Sequence, residues 1–523
     1  MLKKGLRVVS SLVALSTLLT VAACGGNGGG YDPLASDEIK VVVSSRGYGT
    51  AQYEEIAKAF EATHPGKKVY VESTVASTAL TAQLEANSFI GDVCMFNDNA
   101  LWKLWRSGKM VTLDDVVSAI PDGEEKSVGE KCDSNLMNAY KVSDGHYYSI
   151  PWMNENVGLV YNKTALNTLL GENAWELPKT TIELYALCDR IKTAGGYGFV
   201  WESAYLSFIG FEAQYSGYEQ YLQNSQGYYY DETTNAYKLS DNTVQCIKNN
   251  TGYLRTLEQI EKILSEYSHQ YSRDMDFIQA QSTWAGIPYA GDSKLCVFMP
   301  NGDWAYNETK EFLAATGHKA GFMNLPVMSD IVETLELYED GDTPFSKLSP
   351  EKQSIYDAKL RAIIDYVDGE TVSVPTGVGQ NDINRVAEAR SYIEGKAQGQ
   401  AFIPYNSKKI DLAKEFLVFM ASDMAVNIYS QYTNGLSPWV TDTTFSNISF
   451  DVPFMQDVLN VVSLSKAFAK PHNELSLYFP KTTSFDQGFG AGTHTAKMIW
   501  ENDVKWYKEQ WPTILKNAGL SNN

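Results

Sequence analysis

From Ile39 onward the chain alternates short apolar runs with amphipathic stretches. IKVVVSS comes first, and a helix is expected from Thr50 because Tyr53, Ile56, Ala57 and Phe60 fall on one face; KVYVEST, a second helix and DVCMF follow. A period of two giving way to a period of 3.6 predicts α/β structure. Strands separated by helices are joined by crossovers into a mainly parallel sheet covered on both faces. Ligands bind such sheets beyond the carboxyl ends of the strands, which here carry Arg46-Gly47-Tyr48-Gly49 and Asn97-Asp98-Asn99. A second cycle opens at YYSIPW and VGLVYN. Its helix has capping-box spacing at Thr180 and Glu183, ends at Gly195-Gly196 and leads into YGFVW. Residues 205–237 are rich in tyrosine, 329–371 read as helical and acidic, and the last hundred or so residues read as helices broken by aromatic loops.

The N-terminus departs from this rhythm. Lys3, Lys4 and Arg7 precede an apolar run from Val8 that closes on Ala22 and Ala23, the layout of a secretory signal. The run is shorter than the roughly 20 apolar residues a spanning helix needs, and GGNGGG follows soon after. Val21-Ala22-Ala23-Cys24 resembles the lipobox of bacterial lipoproteins. That resemblance implies cleavage after residue 23 and acylation of Cys24, with 24–37 as a glycine-rich tether. Cys94, Cys132, Cys188, Cys246 and Cys296 remain, an odd number without any CxxC, which argues against a disulfide framework and against a zinc cluster.

Composition narrows the function. Among 523 residues, 43 Lys+Arg face 63 Asp+Glu, a formal charge of −20 without a basic stripe, so nucleic acid is not an expected partner. With 44% hydrophobic and 20% charged residues the chain is globular, long enough for roughly two to four compact units. Its 32 Tyr and 11 Trp offer more amphipathic ring surface than cores usually require. No GxSxG, HExxH, GxxxxGK[ST] or EF-hand run is present. Gly488, Gly490 and Gly492 follow no apolar strand and read as a loop, and the histidines are isolated in sequence. No cofactor and no metal is expected. A glycosidase carboxylate pair cannot be singled out among 63 acids.

Three segments together resemble family 1 extracellular solute-binding proteins, the sugar-binding components of bacterial ABC importers related to maltose-binding proteins. They are YYSIPWMNENVGLVYNKTAL (147–166), CVFMPNGDWAYNE (296–308) with the following AGFMNLPV, and QAFIPYNSKKIDLAKEFLVFMASDMA (400–425). The resemblance implies a two-lobed periplasmic-binding-protein fold of type II, each lobe a mainly parallel sheet flanked by helices, with the ligand cleft between them. It implies a first lobe over 38–152, a second over 153–321, a return to the first over 322–421, and a C-terminal helical part over 422–523 on the second. Hinges are expected near Met153 to Val157 and Gly321 to Leu325. The acidic segment 329–371 has no counterpart in the smaller relatives and is expected as a helical cap on the first lobe.

A sugar needs flat aromatic platforms for its C–H faces and paired donors and acceptors for its hydroxyls. Trp304 in NGDWAY matches the family's cleft tryptophan, with a core tryptophan as the alternative. Asn97, Asp98 and Asn99 follow the strand after which relatives present an Asp, with Asp98 the first candidate; an Asx turn capping the helix at Leu101 is the alternative, almost as strong for Asn99. Glu155 stands four residues after Pro151, the spacing of a sugar-contacting Glu in maltose-binding relatives. Trp152 beside it reads either as a ligand contact or as hinge packing. Arg46, Tyr48, Trp201 and Glu202 sit at strand ends, and Trp439 and Phe485, like Trp284 and Tyr289, are aromatic candidates that could instead cover domain edges. The resulting expectation is a lipid-anchored, monomeric receptor, not an enzyme, on the outer side of the cytoplasmic membrane. It captures a mono- or oligosaccharide for an ABC permease. A binding protein for a polyamine or peptide, with Asp98, Glu155 and Glu202 as its carboxylates, and a secreted glycan-active enzyme are the competing readings.

Overall fold

The computed structural model describes residues 31–44, 49–74, 77–97, 102–200, 208–223, 228–231, 233, 236–239, 250–395, 399–433, 435–439, 452–468, 488–489 and 491–517. The first sheet contains β1 (Glu38–Ser44), β2 (Lys68–Thr74), β3 (Val93–Asn97), β4 (Ile150–Pro151) and β12 (Gly399–Phe402) in the order β2-β1-β3-β12-β4. β1 is parallel to β2 and β3, with Val41 opposite Val71 and Val93. β12 is antiparallel to both β3 and β4.

Alternation along β1 explains why this sheet is covered twice. Ile39, Val41 and Val43 join one core with Tyr53, Ile56 and Phe60 of the helix Ala51–Thr63, whereas Val42 joins Cys94, Phe96 and Phe402 on the other side. The helices Ile410–Met420 and Asp423–Thr433 complete the first core through Phe416, Leu417, Val426 and Tyr429.

The second sheet follows the order β13-β11-β5-β9-β6, using β5 (Asn156–Asn162), β6 (Tyr197–Phe199), β9 (Cys296–Gly302), β11 (Tyr392–Gly395) and β13 (Lys466–Phe468). A further strand, β10 (Ala320–Met323), pairs with β5, and β7 (Tyr228–Asp231) with β8 (Ala236–Leu239) forms a separate hairpin. All seven residues of β5 are buried, since Leu159 and Tyr161 face one core and Val160 the other. The expectation of two mainly parallel sheets is corrected here, because β5 is antiparallel to β9, β10 and β11. β5 enters this sheet from β4 of the first one, whereas β6 and β9, with helices between them in the chain, run parallel to each other.

The first passage between sheets occupies residues 152–155. The second lies between Gly395 of β11 and Gly399 of β12, not near 321–325: β10 pairs Phe322 with Val160 inside the second sheet. Residues 322–395, expected with the first lobe, therefore belong to the second. A third passage follows Trp439, which is in the first core, and precedes the helix Pro453–Ser463, whose Phe454 and Val458 enter the second. The C-terminal part is thus divided, with 423–433 on the first lobe.

The acidic segment is helical as expected, with the 3-10 turn Ser329–Thr334 and the helix Pro350–Val367, but it caps the second lobe. Ile331, Val332, Phe345, Leu360 and Ile364 pack with Ile383 and Val386 of the helix Gln380–Ser391. Lys179 Nζ reaches Asp365 at 2.9 Å and Asp368 at 3.0 Å, and buried Arg255 reaches Glu333 at 3.1 Å. At the start of the helix Thr181–Thr193, Thr180 Oγ1 accepts from Glu183 N at 3.2 Å, but Glu183 turns back to Lys179 N at 2.7 Å, one residue short of a reciprocal capping box.

Candidate functional site

The two sheets meet where β4 passes into β5 and where β9 ends. At the first place Trp152 is 2% exposed. Its indole N–H donates to Phe96 O at 3.2 Å, its ring lies 5.5 Å from that of Tyr53, and Tyr53 OH donates to the Trp152 carbonyl at 3.4 Å. Tyr53 lies 6.2 Å from Tyr429 in turn. This is the packing alternative for Trp152: its polar and apolar surfaces are engaged inside the first lobe.

Glu155 is half-buried beside the same rings. Burial holds the phenols of Tyr53, Tyr140 and Tyr429 well above their ordinary pKa, and the Glu155 carboxylate adds to the rise at each of them. The three phenols are buried in the first core, and of this group Glu155 is the one that is partly exposed, as a carboxylate that can accept from a hydroxyl.

At the second place β9 runs out through Asn301-Gly302 to Asp303 and Trp304, and the helix Ala305–Thr316 begins. Asp303 is fully buried. It accepts from Asn156 Nδ2 at 2.8 Å and Asn156 N at 3.2 Å, and its own N–H donates to Asn156 O at 3.0 Å. The adjacent Trp304 is half-buried and packs against the core of the first lobe although it follows a strand of the second sheet. A Cβ on Gly302 would come within 1.9 Å of the Trp304 ring, so the absence of a side chain there lets the ring lie over the strand end. Asn307 Nδ2, one turn further on, donates to Thr433 O at 2.6 Å in the first lobe. Trp304 is accordingly flanked by bonds within the second sheet on one side, Asp303 to Asn156, and by a bond to the first lobe on the other, Asn307 to Thr433.

The remaining candidates are distributed differently. Asn97 is the last residue of β3, paired with Gly399 at the second passage. Trp439 is 2% exposed within the first core, and Trp284 is fully buried with its N–H on Val297 O at 3.0 Å, behind β9. Arg46, Tyr48, Asp98, Asn99, Trp201, Glu202, Phe485 and Cys24 lie outside the described residues. So the loops after β1, β3 and β6, where ligand contacts are expected, fall outside the described residues.

Sequence reasoning missed Tyr53, Tyr429 and the Asp303–Asn156 pair. Tyr53 was visible as a core position of its helix, and Asp303 stood between the two residues that drew notice, Gly302 and Trp304. Tyr140 was also missed; its OH donates to Gly399 O at 2.6 Å and ties the first lobe to the second passage. A cavity of about 890 Å³ lies further along, walled by Asn135 of the first lobe and by Gly217, Arg385, Glu388 and Tyr392 of the second, and none of the candidates lines it. Among the described residues no group of three or more His, Cys, Asp or Glu is gathered as metal ligands, and Cys94, Cys132, Cys188 and Cys296 are buried thiols.

Comparison with known proteins is consistent across most of the chain. The model of a family described as bacterial extracellular solute-binding protein matches residues 46–427. The fold is similar to that of the GacH receptor of Streptomyces glaucescens, solved unliganded and with acarbose, at a TM-score of 0.55 and 15% identity, covering 92% of this chain and 98% of that one. It is similar to a cyclo/maltodextrin-binding protein complexed with maltotetraose (0.57, 16%, 91% of this chain and 98% of that chain). A family 1 extracellular solute-binding protein from Bifidobacterium longum subsp. infantis gives 0.55 and 16%, with 90% of this chain and 99% of that chain covered. No curated protein sequence matches. At these identities the structural likeness is one of fold.

Proposed function

The chain belongs to the family of bacterial extracellular solute-binding proteins, and from that premise we propose that it captures a mono- or oligosaccharide between its two lobes and delivers it to an ABC permease. The observation that carries this reading is Trp304: an indole at the end of a second-lobe strand, half-buried against the first lobe, with its strand end fixed to the passage by Asp303 and Asn156. A stacking platform held by both lobes favours the closed arrangement when a sugar ring occupies it. Glu155 supplies an acceptor for hydroxyls, and Asp98, Arg46, Tyr48, Trp201 and Glu202 would complete the ring of contacts from the loops at the strand ends. The oligosaccharides named for the acarbose and maltotetraose complexes support the same ligand class for this chain.

In this reading the protein binds and does not catalyse, and it works as a monomer. It is held by a lipid on Cys24 at the outer face of the cytoplasmic membrane; among the described residues no helix is long and apolar enough to cross a bilayer. Calorimetric titration with a panel of saccharides, spermidine and a short peptide tests the proposal. Saccharide binding that is lost in Trp304→Ala is the expected result. Binding of spermidine or peptide alone would replace it with the polyamine or peptide reading, and release of reducing ends from glycans would replace it with an enzyme.

A further inference from the structure

We propose that the end of the first lobe bearing Leu34, Ile90 and Tyr405 rests on the lipid surface in which Cys24 is anchored, an inference that depends on the lipoprotein reading above. The described chain is already fastened where it begins. Tyr31 OH donates to Asp92 Oδ2 at 2.7 Å, and Lys409 Nζ donates to Tyr31 OH at 3.2 Å and to Asp32 O at 3.0 Å while lying 4.2 Å from the centre of the Tyr31 ring. Asp92 also takes Lys40 N at 2.9 Å and Ser407 Oγ at 2.7 Å. Asp92, Lys409 and Ser407 are all buried. The clip therefore joins the N-terminal segment to β1, to the approach to β3 and to the loop after β12.

Its position limits where the protein can hang. Seven peptide steps separate Cys24 from Tyr31, and seven residues reach at most about 25 Å even when fully extended. A lobe of about 200 residues is roughly 30 to 40 Å across. The leash is thus shorter than the lobe it holds, and the clipped end faces the bilayer.

That end carries the side chains a lipid surface accepts. Leu34, two residues after Asp32, is 91% exposed; Ile90, two before Asp92, is 62% exposed; Tyr405, two before Ser407, is 68% exposed. Asn406 Nδ2 donates to Phe89 O at 3.3 Å, which brings the Tyr405 loop beside Ile90, and the Asp32 carboxylate accepts from Leu34 N at 2.8 Å. Aliphatic tips enter the acyl boundary and a tyrosine settles at headgroup depth. Lys408 is exposed beside Tyr405 and offers an ammonium group to headgroup phosphates on a chain of net charge −20.

The acylated full chain in vesicles of phosphatidylethanolamine and phosphatidylglycerol provides the test. Leu34→Cys, Ile90→Cys and Tyr405→Cys are each labelled with a nitrobenzoxadiazole dye, with the unsubstituted protein as background and Val372→Cys, 96% exposed beside the cap of the second lobe, as the distant control. Blue-shifted emission and quenching by doxyl-labelled lipid at the three positions, absent at Val372→Cys, is the expected result. Unquenched dyes at the three positions, or equal quenching at all four, on protein that floats with the vesicles would overturn the contact while leaving the anchor in place. Unsubstituted protein that fails to float would overturn the anchor, and this proposal with it.

Discussion

Asp303 and Asn156 close a buried ring of three hydrogen bonds between the residue that precedes Trp304 and the residue that opens β5. The indole is thereby referenced to the passage between the lobes. Bonds of 2.8 to 3.2 Å thus hold the residue before the indole to the first residue of the second sheet after the passage 152–155.

Asp303→Ala leaves the Asn156 carboxamide and backbone N–H buried without that acceptor. Each unsatisfied buried donor costs about 1 to 3 kcal/mol. Urea unfolding should show a loss in that range or somewhat above, accompanied by weaker sugar binding because Trp304 loses its reference. Unchanged affinity in the destabilised variant would separate the ring from the site.

Trp304→Ala should lower sugar affinity about 30-fold to 1000-fold, the equivalent of about 2 to 4 kcal/mol for a buried aromatic anchor. The ring is only half-buried, so stability should fall by less than the roughly 3 to 5 kcal/mol of a core tryptophan. Gly302→Ala tests the same geometry without removing the ring, since the new Cβ would displace the indole. It should weaken binding with Trp304 intact. Calorimetric titration beside a denaturant melt on both variants reads these outcomes, and full affinity in Gly302→Ala would argue against the platform.

Burial lifts the Asp330 carboxyl to about 7, helped by the Glu333 charge, and the Asp357 carboxyl to about 6. Both lie under the acidic cap; Gln259 Nε2 donates to Asp330 at 2.9 Å, and Ser329 Oγ donates to Asp357 at 2.7 Å. The unfolded chain loses these protons near pH 4 and the folded chain only near pH 6 to 7, so their contribution to stability is full below pH 4 and declines as pH rises through 7. The cap should be held more firmly at pH 5 than at pH 8. Hydrogen exchange along Pro350–Val367 at the two pH values reads this, and Asp330→Asn with Asp357→Asn should flatten the difference. A cap equally protected at both pH values in the unsubstituted protein would count against it.

Cys24→Ser should give unprocessed precursor or protein shed to the medium, because among the described residues no helix is long and apolar enough to serve as an anchor in its place. Retention in the detergent-extractable membrane fraction at the unsubstituted level would contradict lipid anchoring.

Closure should appear in small-angle scattering as a smaller radius of gyration at saturating sugar, with motion concentrated at 152–155 and at the second passage near Gly395 and Gly399. Spectroscopic distance pairs placed across 321–325 should not change, since β10 is paired within one sheet. An invariant radius would exclude a hinge movement of useful size.

How much of this was legible varied with the range of the interaction. The strands Glu38–Ser44, Lys68–Thr74 and Val93–Asn97 were readable because alternation is a local property, and Tyr53, Ile56, Ala57 and Phe60 lie on the buried face as their spacing requires. The partner of a strand is not local. AGFM reads as a strand from its composition, but nothing in those four residues says that Phe322 sits opposite Val160 and not in the other sheet, and the second passage was misplaced for that reason. The cap was misplaced with it, since the second-lobe residues that hold it, Lys179 and Arg255, are distant in sequence from their partners Asp365 and Glu333. Trp304 was legible through NGDW. Asp303 was not, because an acid in a turn is ordinarily solvated and only its burial beside Asn156 reveals its use.

The place of β12 between β3 and β4 fixes an order of events during synthesis and export. β4 is made early, at Ile150–Pro151, yet the strand it pairs with is Gly399–Phe402, so for some 250 residues of emerging chain the edge of β3 has no neighbour on that side. The first lobe cannot close its sheet before the second has been delivered almost whole. Such long-range pairing slows folding, because loop-closure entropy is spent before the contacts that repay it are made. The topology that lets two lobes share three connections therefore makes the first sheet the late one to set.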